Sequence, residues 1–147
     1  MKIINPYNQK VIQSIALSSR EEALKKLDNA IAVKSAMKKL SSAEKAEILN
    51  DIIAGIYRRF DEFVEILIQE SGKPFRYAKG EVERAIQTFK VAAEECKRLP
   101  HELFDIDGSA PGRNLKGEFV YFPRGVVFGI SPFNFPINLA VHKIAPA

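Results

Sequence analysis

The spacing of apolar residues changes once along this chain, at Pro100, and that change limits the fold more than any other feature. Before it, apolar side chains recur three and four positions apart, as the buried face of a helix requires. After it come glycines, prolines and short aromatic or β-branched runs, the composition of strands and tight turns. The chain is therefore read as α/β, with its helices gathered ahead of its strands.

Three helices are predicted before the change. Ser18 and Ser19 each precede a glutamate by three positions, Glu21 and Glu22, a spacing that lets serine and glutamate satisfy each other's backbone N–H. Leu24, Leu27, Ile31, Met37 and Leu40 then form a stripe, with Lys25, Lys26, Lys34, Lys38 and Lys39 outside it. A second helix is expected from Ser41 or Ser42, carrying Ile48, Leu49, Ile52, Ile53, Ile56, Tyr57 and Phe60 in i, i+4 rows. Its character continues through Phe63, Val64, Leu67 and Ile68 and stops at Gly72, with Pro74 beyond. The third runs from about Phe75 to Leu99, with Ala78, Val82, Ala85, Ile86, Phe89, Ala92, Cys96 and Leu99 on one side and Pro100 as its stop. Ahead of all three, Ile3-Ile4 and the run 11–17 flank an Asn5-Pro6 turn signal and read as extended.

Beyond Pro100, Gly108, Pro111, Gly112 and Gly117 mark turns, and residues 118–122 read as a strand. Pro123-Arg124-Gly125 bends the chain into Val126–Ile130, a short apolar run of the kind buried on both faces of a parallel sheet. Ser131–Pro136 is a rigid loop, and Ile137, Leu139, Ala140, Val141, Ile144 and Ala145 follow as a helix with Pro136 in its first positions. The expected division is 1–117, with three long helices, and 118–147, a strand extension followed by one strand-loop-helix step. Such a step is half of a βαβ unit, so the chain reads as part of something longer.

Composition narrows the function classes. Lys+Arg 22 against Asp+Glu 18 gives +4, concentrated in residues 1–40, and a solvated helix face accounts for it. Neither aromatic interleaving nor a nucleic-acid motif accompanies those lysines. The single cysteine, Cys96, rules out an internal disulfide and a multi-cysteine metal cluster, and His101 and His142 leave little for zinc. Residues 1–14 lack a signal-peptide apolar run. The uncharged stretch 125–142 carries Pro132, Pro136, Asn134 and Asn138, which a lipid-facing helix would have to satisfy. A soluble protein of the reducing cytoplasm is expected, without metal, nucleic-acid or membrane partner.

One segment carries chemistry. Phe122-Pro123-Arg124-Gly125-Val126-Val127-Phe128-Gly129-Ile130-Ser131-Pro132-Phe133-Asn134-Phe135-Pro136-Ile137-Asn138-Leu139, followed by His142-Lys143-Ile144-Ala145-Pro146-Ala147, resembles the first strand, loop and helix of the aldehyde dehydrogenase cofactor domain. Asn5-Pro6-Tyr7 is similar to the family's early turn, and Gly72-Lys73-Pro74 followed by Glu81-Val82 to its second-to-third helix junction. The resemblance covers essentially the whole chain, and 132–136 is its most specific part. It implies a helical N-terminal layer leading into the first βα unit of a Rossmann-like cofactor domain, truncated at that point. The wording is nearest the lactaldehyde and non-phosphorylating glyceraldehyde-3-phosphate branches.

The resemblance also implies residue roles. In this family a cysteine thiolate attacks an aldehyde, hydride passes to NAD or NADP, and the acid is released. The motif's asparagine, Asn134 here, donates its amide N–H to the oxyanion created by attack. Pro132 and Pro136 restrict the backbone on both sides of that donor. Ile130, Ser131, Pro132 and Phe133 are implied contacts of the nicotinamide end, at the carboxyl end of the first strand. No Gly-x-Gly-x-x-Gly phosphate loop is present. By its residues alone, Asn134 also suits a turn or helix N-cap.

The family's nucleophilic cysteine, base glutamate and ribose-binding lysine lie downstream of this motif, so these 147 residues are expected to be inactive alone. Cys96 precedes the motif and reads as a buried structural thiol, while Arg124 and His142 read as surface or packing residues. A homo-oligomer acting on a small aldehyde is the leading expectation. A truncated paralogue serving as a non-catalytic helical assembly module is the alternative.

Overall fold

The computed structural model describes residues 1–98 and 101–147. Serine caps decide where its first two helices begin. Helix α1, Arg20–Lys39, starts at Ser19, whose Oγ accepts the Glu22 N–H at 3.2 Å while the Glu22 carboxylate accepts the Ser19 N–H at 2.9 Å. Helix α2, Ser42–Arg58, repeats the arrangement with Ser41 and Glu44. Each cap satisfies two backbone N–H groups that the helix leaves unpaired.

The long helical run expected between Ser41 and Gly72 is broken in the middle. Arg59, with φ −113° and ψ 21°, leaves the helical region and separates α2 from α3, Phe60–Ser71. Its guanidinium pairs with Glu62 at 2.6 Å and lies over the Phe63 ring. The change of direction buries Ile53 and Ile56 of α2 and Val64 and Leu67 of α3 in one cluster with α4, Phe75–Glu95. Apolar periodicity passes through Arg59 without a gap, which is why it does not reveal the break.

Helix α3 ends at Gly72, which adopts the left-handed conformation at φ 66° and donates its N–H to the Ile68 carbonyl. A Cβ there would stand 2.9 Å from Pro6 Cγ. The turn joining strands β1, Lys2–Ile4, and β2, Val11–Ser14, therefore rests against the helix junction. These two strands pair antiparallel.

Helix α4 is the axis of the core. Ala78, Val82 and Ala85 expose 0% of their surface. Small residues at two of these three positions let neighbouring helices approach closely. Ile86 and Phe89 complete the face, against α2, α3 and the last helix α5, Pro136–Ile144, which contributes Val141 with Ala145 just beyond it. Each buried Ile, Leu or Phe side chain contributes roughly 1.5–3 kcal/mol.

Other expectations are corrected. The α1 stripe of Leu24, Leu27, Ile31 and Met37 exists, but no residue of α1 is buried. Helix α4 is described as far as Glu95 with Cys96 as its C-cap, and the expected extension to Leu99 and stop at Pro100 lie outside the described residues. Cys96 is half-buried, not buried, because it stands where the helix leaves the core.

The strands differ most. Strand β3, Glu102–Asp105, pairs antiparallel with β4, Lys116–Phe119, in the register Glu102 to Phe119, so only two residues of the expected strand 118–122 join the ladder. The connection passes through a 3₁₀ turn, Ala110–Gly112, where a Cβ on Gly112 would fall 1.7 Å from the Ile106 carbonyl oxygen. Val126–Ile130 forms no strand and is not buried: Phe128 is 87% exposed and Ile130 74%. A parallel strand exists only through the neighbours that complete its ladder. Both sheets among the described residues are two-stranded hairpins, and neither borders this run.

Candidate active-site segment

The loop 131–135 connects the extended run to α5, and its ends are tied to each other. The Ser131 hydroxyl donates toward the Pro136 carbonyl at 3.3 Å, closing the loop over Pro132–Phe135. Pro136 opens α5, where its missing N–H costs no hydrogen bond. Phe135 occupies the N-cap position and supplies no side-chain cap. The N-cap reading of Asn134 is thereby corrected.

The cap comes instead from α4. Glu81, whose side chain is 0% exposed, accepts the backbone N–H groups of Ile137 at 3.1 Å and Asn138 at 3.3 Å through Oε1. Its other oxygen takes Lys73 Nζ at 2.5 Å. A buried carboxylate is costly unless paired and hydrogen-bonded, and this one is both. The positive end of the α5 dipole adds a further favourable interaction. Lys73, 13% exposed at its side chain, also donates to the Asn134 carbonyl at 3.1 Å and stands 4.8 Å above the centre of the Phe135 ring.

The five residues singled out by sequence are contiguous, and all are exposed. Ile130 and Phe133, the latter at 90% exposure, present apolar surface beside Ser131 and Pro132. The Asn134 side chain is likewise at the surface, while its backbone is held from below by Lys73. Asn138, in the first turn of α5, is buried, and its Oδ1 has no hydrogen-bond partner among the described residues. Cys96 lies fifteen residues beyond Glu81 on α4, about 22 Å along the helix axis. Arg124 and His142 are exposed.

In the sequence Lys73 and Glu81 stand out only as members of a junction motif, which does not reveal that they pair. The signal was present: Glu81 falls between Ala78 and Ala85, at i+3 and i−4, on the face that packs inward. A charged residue inside an apolar row asks for a buried partner.

The family model described as "Aldehyde dehydrogenase family" matches residues 1–147. The chain belongs to the aldehyde dehydrogenase family. Among its relatives in this family is the lactaldehyde dehydrogenase of Methanocaldococcus jannaschii, 41% identical over 147 residues, covering 100% of this chain and 30% of that protein. The chain thus spans about 30% of the length of the curated relatives it matches. Among solved aldehyde dehydrogenases, aldehyde dehydrogenase 21 of Physcomitrella patens, in complex with the reaction product succinate, superposes with a TM-score of 0.94 at 38% identity, over 99% of this chain and 30% of that one. The glyceraldehyde-3-phosphate dehydrogenase GapN of Methanocaldococcus jannaschii, complexed with NADP, gives 0.82 at 36% identity, over 99% and 31%. The helical layer, the two small sheets and the closing helix are therefore the N-terminal architecture of aldehyde dehydrogenases. No helix among the described residues is long and apolar enough to cross a membrane.

Proposed function

We propose that this chain is the N-terminal segment of an NAD- or NADP-dependent dehydrogenase that oxidises a small aldehyde to its acid, and that Asn134 is its oxyanion donor. The observation that carries the role of Asn134 is the cap on α5. Because Glu81 supplies that cap from another helix and Asn134 lies at the surface, the start of α5 makes no use of the Asn134 side chain, which supports its being available to a ligand.

The chemistry follows from the family. A thiolate supplied outside these 147 residues attacks the aldehyde carbon, and the carbonyl π pair moves onto oxygen. The Asn134 N–H donates to that oxygen as its charge develops. A neutral amide brings no competing proton equilibrium. One such donor contributes on the order of 3 kcal/mol to the transition state.

The 130–133 segment suits the cofactor. Ile130 and Phe133 offer exposed apolar surface fit for one face of a flat heteroaromatic ring, next to the donor. Ile130, Ser131, Pro132 and Phe133 would hold the nicotinamide end. When bound, that group accepts the hydride leaving the former aldehyde carbon. The relatives named for lactaldehyde and glyceraldehyde 3-phosphate support a short, hydroxylated aldehyde as substrate.

The test is Asn134→Ala in the full-length enzyme. The oxygen is fully charged only after attack, so the loss falls on turnover and not on binding. A fall in kcat of roughly 10²–10³-fold is expected, with cofactor affinity nearly unchanged. A folded variant with normal turnover in a chemistry-limited assay would remove the oxyanion role.

A further inference from the structure

We infer that Lys73 and Glu81 are positioning residues for the reaction, fixing where Asn134 stands by holding the backbone on both sides of Phe135-Pro136 from one ion pair. The inference rests on the donor role proposed above for Asn134. Lys73 Nζ holds the Asn134 carbonyl at 3.1 Å, and Glu81 Oε1 holds the Ile137 and Asn138 amides at 3.1 and 3.3 Å. The two anchors are joined by the 2.5 Å contact between them. Only Phe135 and Pro136 lie between the held positions. The Phe135 ring is under the Lys73 ammonium, and Pro136 has its φ set by its own ring.

Prolines restrict torsions but do not fix a loop relative to the rest of the protein. The ion pair does that. Lys73 sits one residue past the left-handed Gly72, at the junction leading into α4, and Glu81 is buried in the second turn of α4, so both anchors are attached to the elements that form the core. Capping α5 requires Glu81 alone. The additional bond from Lys73 to the Asn134 carbonyl acts on the residue whose side chain would meet the oxyanion, and an error of about 1 Å there costs up to about 10²-fold in rate.

The experiment uses the full-length enzyme and a mutant cycle. Lys73→Met alone strands a buried carboxylate, so it is paired with Glu81→Gln, whose side-chain oxygen still accepts the Ile137 and Asn138 amides. Lys73→Arg, which keeps the charge but moves the donors, gives a second measurement. Both folded variants are expected to lose roughly 10-fold to 100-fold in kcat with KM and NAD(P) affinity nearly unchanged. In an Asn134→Ala background the same changes should have little further effect, since the donor they place is gone. Losses that multiply independently of Asn134, or wild-type turnover in both variants, would overturn the inference. Wild-type turnover in Asn134→Ala alone would instead overturn the donor role on which it rests.

Discussion

The Glu81 carboxylate accepts the Ile137 amide at 3.1 Å across 56 positions of sequence. The helix that follows the candidate active-site loop is thus started by a residue of α4, and its first turn is tied to that helix. Local cap residues, as at Ser19 and Ser41, serve only their own helix. A cap brought from elsewhere also sets where the helix is.

Gly72→Ala should destabilise the chain. The left-handed conformation at φ 66° costs an L-residue about 1–2 kcal/mol, and the new methyl would press on Pro6 Cγ at 2.9 Å. Pro6→Ala in the same chain should recover the steric part and leave the conformational part. Chemical denaturation of the two single variants and the double variant measures both, and fully additive losses would show that the two residues do not touch.

Acid should loosen the start of α2. The Ser41 hydroxyl, and after it the Ser41 backbone N–H, hold the Glu44 carboxyl below the usual glutamate range. A carboxyl lowered on folding stabilises the native state above its unfolded pKa, and that contribution disappears as pH falls through the folded value. The gap in thermal midpoint between the wild type and Glu44→Gln should therefore be present at neutral pH and close in acid. A gap independent of pH would count against the capping box.

The isolated 147 residues should produce no NADH or NADPH with any aldehyde. Their one thiol, Cys96, is half-buried at the end of α4, far along that helix from the Lys73–Glu81 pair. In the full-length enzyme, Cys96→Ser should leave turnover intact. Cofactor reduction by the purified chain that vanishes on Cys96→Ser would reverse this assignment.

What could be read from the sequence was local. The boxes at Ser19 and Ser41, the Gly72 stop and the inward face of α4 all follow from residues within one or two turns of each other. The Asn134 loop was legible as a motif because proline and asparagine leave few backbone choices. Val126–Ile130 reads as a strand yet forms none, because a buried strand is defined by its neighbours and hydrophobicity does not say which neighbours are there. The break at Arg59 leaves no mark in the sequence because the apolar spacing is preserved on either side of it. The partnership of Glu81 with residues 137–138 spans half a hundred positions and leaves only an oddly placed charge in the local pattern.

The distance along the chain between Glu81 and Ile137 also sets an order of events during synthesis. A ribosome adding about 5–20 residues each second needs about 3–11 s to travel those 56 positions. Glu81 thus leaves the ribosome ahead of Ile137 by that interval, and its carboxylate waits that long for the amides it will bind. Lys73, only eight residues earlier, is its available companion in the meantime. The pair can thus act first as a temporary shield for a charge bound for the interior, and then as the dock onto which the newly made loop closes.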